Sequence, residues 1–212
     1  MVKEEPATGR FTINLEGRDI IINYRVVKKD TKFAYIRVKS SVVELVLPLH
    51  YSADPVLLLR KREEWLKKAL LRISQNISVV RGDLFLYDGK YHPFSELGSQ
   101  SLSSYLRANS EKYVTEKILS LQKAMEFQYG TLKFKSSGTW WGLCTSKGDL
   151  IFNYQLAALP ERLRDYVVLH EVVHLYHHNH SKKFYEKLSS LMPDYKEREE
   201  ELRRYVPMKR YR

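Results

Sequence analysis

Residues 170–174 read His-Glu-Val-Val-His. On an α-helix, positions i and i+4 lie one turn apart on the same face, so the imidazoles of His170 and His174 can reach one ion. Glu171, offset by one residue, can bring its carboxylate beside a metal-held water without taking a coordination place. Zinc suits such a donor set, because it lowers the pKa of a bound water towards about 7. The glutamate then takes the proton as that water attacks. A plainer reading makes the two histidines packed helix residues bonded to their neighbours. A third ligand within reach weighs against it.

Geometry limits where that ligand can come from. A helix rises about 1.5 Å per residue, so His170 and His178 would lie about 12 Å apart along a straight axis. His177 fares little better. The third ligand must come from chain that has turned back, and Asn179 is a residue that tolerates the left-handed conformation ending a helix. His180 follows it directly and is the choice. His177 and His178 read as exposed residues near the helix C-terminus, where a positive charge is favourable. Three histidines leave an open fourth position, which favours catalysis over a closed structural site.

The elements that must position these residues can be read outward from them. Pro160 opens the helix that carries the motif, which reads as running to about His178. Ser181 caps a short helix to Met192, and Pro193-Asp194 starts a last, charged one. Before the motif come two short strands, Leu132 to Lys135 and Leu150 to Tyr154, on either side of Trp140-Trp141-Gly142 and a Lys147-Gly148 turn. A long helix is expected from Leu102 to Tyr129, stopped by Gly130. The first fifty residues alternate as β-structure, with Phe11, Ile13 and Leu15 turning at Gly17 into Ile20, Ile22, Tyr24 and Val26. Ala34, Ile36 and Val38 then pair with Val43, Leu45 and Leu47. Asp54-Pro55 starts a helix to about Ser74, and Asp88-Gly89 is the two-residue turn of a hairpin. The serine- and glycine-containing stretch from Ser95 to Ser101 is the expected boundary. It gives a β-rich N-terminal subdomain over 1–97, with one helix, and a catalytic α+β domain over 98–212.

From Trp140 onward the sequence reads WWGLC, a short strand with Asn153, then YVVLHEVVH (166–174), NHSKKF (179–184) and Pro193-Asp194-Tyr195. This resembles the YgjP-like metal-dependent hydrolase family, related to SprT-like and Wss1-like zinc peptidases. The resemblance implies a minimal zincin-like metallopeptidase domain with an HExxH active-site helix. It carries the family's metal ligands onto His170, His174 and His180 and its catalytic glutamate onto Glu171. Two departures stand out. Trp140 occupies the place of the family's arginine in Arg-Trp-Gly-Ser-Cys, and Leu143 that of its serine.

Composition sets the remaining bounds. At 212 residues, with 43% hydrophobic and 29% charged residues, the chain belongs with globular proteins. No apolar run is long enough to cross a bilayer, so no membrane partner is expected. One cysteine, Cys144, excludes an internal disulfide and reads as a buried structural thiol rather than a nucleophile. The N-terminus carries acids and no apolar signal core, so a cytoplasmic location is expected. The net charge is +11, and more than half of it falls in residues 1–80. Such a surface invites non-specific nucleic-acid contact. The function expected is amide hydrolysis of a peptide or protein substrate. The same site acting on a nucleotide phosphoanhydride, or serving a nucleic-acid-associated binding protein, are the competing readings. Tyr176, Tyr185, Tyr195, Asn153 and the two tryptophans are open candidates for the cleft. The oligomeric state is not legible.

Overall fold

In the computed structural model, residues 7–15, 17–39 and 42–208 are described. The chain is mixed α+β, β-rich at its start and helical later, and it divides into two compact units, Met1–Asn76 and Ile77–Arg212. No helix among the described residues is long and apolar enough to cross a membrane.

The first unit is a four-stranded sheet with two helices. Strands β1 (Thr8–Leu15) and β2 (Arg18–Lys29) form an antiparallel hairpin. β3 (Tyr35–Lys39) and β4 (Val42–Pro48) form another, and β4 inserts beside β2 in parallel. The order is therefore β1-β2-β4-β3. Alternation puts Phe11, Ile13, Ile22, Val43, Leu45 and Leu47 into a core closed by Leu59 and Leu66. Those two leucines come from helices α1 (Pro55–Lys61) and α2 (Glu63–Ser74). The single helix expected here is broken at Arg62, whose backbone (φ −117°, ψ 19°) leaves the helical region. Asp54 caps α1, accepting a hydrogen bond from the Val56 amide at 2.9 Å.

The second unit opens with short strands β5 (Ile77–Ser78) and β6 (Val80–Arg81). The hairpin β7 (Leu84–Tyr87) and β8 (Lys90–Pro93) follows. Asp88 (φ 48°) and Gly89 (φ 75°) both adopt the left-handed backbone that a tight two-residue hairpin turn requires. Phe85 and Leu86 join the same core as Leu102 and Leu106, so this hairpin sits with the later helices. The compact units divide after Asn76, and the polar stretch before residue 98 includes a short 3-10 turn at Phe94–Leu97.

Helix α3 (Leu102–Ala124) is capped by the Ser101 hydroxyl and ends earlier than Gly130. The carbonyls of Glu126 and Phe127 are taken by the Tyr176 hydroxyl and the Gln122 amide instead of by further helix. A three-stranded sheet follows, in the order β10-β11-β9. β9 (Leu132–Lys135) and β11 (Leu150–Asn153) run parallel, and β10 (Gly142–Cys144) lies antiparallel at the edge. A 3-10 turn, Tyr154–Ala158, leads from β11 towards helix α4 (Glu161–His174). Buried Ser110 on α3 ties that turn down: its hydroxyl donates to the Tyr154 carbonyl at 2.7 Å and accepts from the Ala157 amide at 2.8 Å. Helices α5 (Lys182–Leu191) and α6 (Tyr195–Leu202) and strand β12 (Tyr205–Val206), parallel to β5, complete the unit.

Candidate metal centre

Helix α4 is buried almost all round, through Leu163, Tyr166, Val167, Val168, Leu169, Val172 and Val173. Its N-terminal end is fixed by the β7–β8 turn. The amides of Asp88 and Gly89 donate to the carbonyls of Ala157 and Ala158 at 2.9 and 3.0 Å. A Cβ on Gly89 would come within 2.6 Å of the Pro160 ring, so only glycine lets the turn lie this close to the helix start. Arg164, only 7% exposed, reaches back to the Asp88 carboxylate at 2.7 Å, and its guanidinium lies 4.3 Å from the Tyr113 ring centroid.

The helix ends at His174, four residues short of His178, and Leu175, Tyr176 and His177 curl through tight turns onto Val172 and Val173. Asn179 is not left-handed; Asp88 is the only non-glycine with positive φ among the described residues. The earlier end of the helix makes a left-handed stop at Asn179 unnecessary. The reversal brings His180 back over the helix. Its Nε2 lies 3.0 Å from His170 Nε2 and 3.2 Å from His174 Nε2. The three imidazoles offer ligand atoms within 4.8 Å of one another and could hold a metal ion.

The donor chemistry fits such an ion. His174 Nδ1 lies 3.0 Å from the His177 carbonyl. An acceptor there fixes the proton on Nδ1 and leaves Nε2 as a bare lone pair, the usual way a ligand imidazole is oriented. Burial, then the neighbouring His174 and His180, pushes the His170 pKa down to about 3, so this ring is neutral. Burial also lowers the His174 pKa. Lone pairs facing one another at about 3 Å repel unless a cation or shared proton stands between them. Phe184, fully buried on α5, packs against all three rings, at centroid distances of 4.9 Å to His170, 4.5 Å to His174 and 4.9 Å to His180.

Glu171 points from α4 towards the β10 edge. A Cβ on Gly142 would lie 2.6 Å from Glu171 Cγ and 2.7 Å from Oε1, so the glycine leaves the space that this carboxylate fills. Burial pushes the Glu171 pKa up to about 8, opposed by a backbone hydrogen bond from Cys144. Cys144 itself is pushed up to about 11, by burial first and then by Glu171 and Asp149, so its thiol is not a nucleophile at neutral pH.

The other candidates sort themselves by their partners. Asn153 is structural: its amide donates to the carbonyls of Ser137 and Trp140 at 2.8 and 3.0 Å and its oxygen accepts from the Gln155 amide. Trp141 is core, whereas Trp140 is half-exposed. The Tyr176 hydroxyl is spent on the Glu126 carbonyl. Tyr185 stacks on His180 at 6.0 Å and on Tyr195 behind it at 5.9 Å. His178 is exposed. Phe184 and Gly142 were not singled out from the sequence for these roles. The signal for Phe184 was its place one helical turn after His180, and for Gly142 a lone glycine between an aromatic pair and a strand.

No curated protein matches the chain at a significant level. A family model described as YgjP-like, metallopeptidase domain, matches residues 94–205. That span exceeds half of the 212 residues and contains Gly142, Glu171, Phe184 and the three converging histidines, and the chain belongs to the YgjP-like family, which makes it a metal-dependent hydrolase.

Proposed function

We propose that this protein is a zinc-dependent peptidase with a zincin-like HExxH helix, acting on peptide or protein substrates in the cytoplasm. The observation that carries the reading is the convergence of His170, His174 and His180 beside a buried Glu171. Three imidazoles and an open fourth place are the donor set of catalytic zinc rather than of a closed structural site. When bound there, zinc supplies a Lewis acid and makes a water acidic enough to attack near neutral pH.

The chain's own residues account for the rest. Glu171 accepts the proton of the attacking water and delivers it to the leaving nitrogen; a carboxylate raised towards neutrality can do both. The Trp141 carbonyl accepts from the Asn153 amide of β11, and the Thr145 amide donates to the Asp149 carbonyl just before that strand. By antiparallel alternation the backbone groups of Gly142 and the Cys144 carbonyl face away from β11, with the Cys144 amide held by Glu171. An extended peptide added as a further strand there would lie beside Glu171. The replacement of the family's arginine and serine by Trp140 and Leu143 makes this edge less polar, which suits an apolar substrate segment better than a nucleotide.

The test is a substrate screen on purified protein with its metal content measured. Zinc near one equivalent, cleavage of casein or peptides, and loss of cleavage in Glu171→Gln support the reading. Turnover of nucleoside triphosphates without peptide cleavage would replace it with a phosphohydrolase. Metal content far below one equivalent, unaffected by His180→Ala, would remove the metal centre altogether.

A further inference from the structure

The three candidate ligands are not held alike. His170 and His174 are fixed to helix α4, whereas His180 lies outside any helix and is exposed. The ring nitrogen that does not face an ion is ordinarily what orients a ligand histidine, through a hydrogen bond. His174 has that bond, from Nδ1 to the His177 carbonyl. The buried Nδ1 of His170 lacks one among the described residues, but its ring is fixed by the helix and by Tyr166, 5.5 Å away. His180 has neither support: both of its polar contacts run from Nε2 to the other two imidazoles. Something else must aim it.

The local sequence supplies the means. Helix α5 begins at Lys182 after Ser181, whose hydroxyl caps no amide. His180 therefore stands just before the cap residue, and Tyr185 is the fourth residue of the helix. Side chains at these two places pack together as a hydrophobic staple, which fixes the angle at which a chain enters a helix. Here the staple is aromatic, with the rings of His180 and Tyr185 6.0 Å apart and 27° from parallel. Buried Tyr195, the first residue of α6, backs Tyr185 at 5.9 Å and 28°. Phe184 contacts all three imidazoles, but Tyr185 has a ring contact with His180 alone among them. Phe184 meets His180 edge-on at 83°, so one neighbour lies along the imidazole face and the other across it.

We propose that Tyr185 is a positioning residue for His180, its ring aiming the third imidazole at the pair on α4 through the staple at the start of α5. The inference rests on the proposed metal centre and names what completes it. The ring does the aiming, so the hydroxyl, which has no hydrogen bond among the described residues, is dispensable for metal binding. By reciprocity, an ion that holds His180 also holds the first turn of α5.

The experiment measures zinc affinity of the full chain by chelator competition, and the visible spectrum of the cobalt-loaded protein, for the parent, His180→Ala, Tyr185→Phe and Tyr185→Ala. Tyr185→Phe should bind zinc within about threefold of the parent, and Tyr185→Ala should lose at least about tenfold, the range for removing a group that supports a ligand. The cobalt bands report ligand geometry; they should match the parent in Tyr185→Phe and change in Tyr185→Ala. A tyrosine that serves stability alone would lower the unfolding temperature and leave the bands unaltered. If Tyr185→Ala does not fold by circular dichroism, Tyr185→Gln removes the ring at a milder loss of volume and carries the same expectation. The proposal is overturned if the ringless variant matches the parent in affinity and bands, or if Tyr185→Phe loses as much as the ringless variant. In either case, near-stoichiometric zinc in the parent, lost in His180→Ala, would leave the metal centre standing. A parent that holds no zinc would overturn both.

Discussion

Gly142 on β10 and Glu171 on α4 are in direct apposition: a methyl group on the glycine would stand 2.6 Å from the glutamate Cγ. Tertiary packing, rather than turn geometry, demands glycine at this position. Gly142→Ala should displace the carboxylate and lower peptide turnover at least about a hundredfold, as misplacing a catalytic group by about 1 Å does. Bound zinc, measured by elemental analysis, should remain, because the atoms nearest the added methyl all belong to Glu171, which is not one of the proposed ligands. A variant with full turnover would show that Glu171 does not act from this position.

Phe184 backs all three site imidazoles. Phe184→Ala should cost about 3–5 kcal/mol in denaturant unfolding, the range for emptying a buried aromatic site. Zinc affinity, read by chelator competition, should fall at the same time, since the rings lose their common support. Phe184→Leu should recover most of the stability and only part of the affinity.

Asp88 and Arg164 join the hairpin turn to helix α4 at 2.7 Å. Asp88→Asn keeps a residue that tolerates the left-handed turn but removes the charge facing a buried guanidinium. A loss of about 2 kcal/mol is expected, within the range for a hydrogen bond to a charged group. An unchanged urea midpoint would mean that the Tyr113 ring alone is a sufficient partner for Arg164.

Glu44 provides a pH signature in the N-terminal unit. Hydrogen bonds from Arg25 and then Arg37 hold its carboxyl below the ordinary value of 4.5. A depressed folded pKa means that the stabilisation is fully present above the unfolded value and is lost as pH falls through the folded one. Unfolding of the unit, followed between pH 7 and 2, should therefore be level down to about pH 4.5 and then weaken. Glu44→Gln should be less stable at neutral pH and show a flatter acid limb.

The sequence by itself determined the parts that depend on neighbours along the chain. The i, i+4 spacing of His170 and His174 puts two imidazoles on one helical face. The exclusion of His178 by helical rise requires a helix that reaches that residue, whereas α4 ends at His174 and the chain beyond it brings His180 to the pair. Alternation marked strands β1 to β4, and Asp88-Gly89 specified its turn, because each is a matter of local backbone chemistry. The ends of α3 and α4 were not legible. A distant partner, the Tyr176 hydroxyl, takes a carbonyl after α3, while after α4 the His177 carbonyl meets the His174 side chain within one turn, a contact that apolar periodicity does not reveal. Likewise, β4 beside β2 in parallel, the hairpin packed with the second unit, and edge strand β10 under Glu171 all join residues far apart in sequence. The identities of the three histidines that could hold a metal were written in the chain. Only the tertiary structure decided what holds them together, because burial, close approach and lone-pair orientation exist only between segments that folding brings into contact.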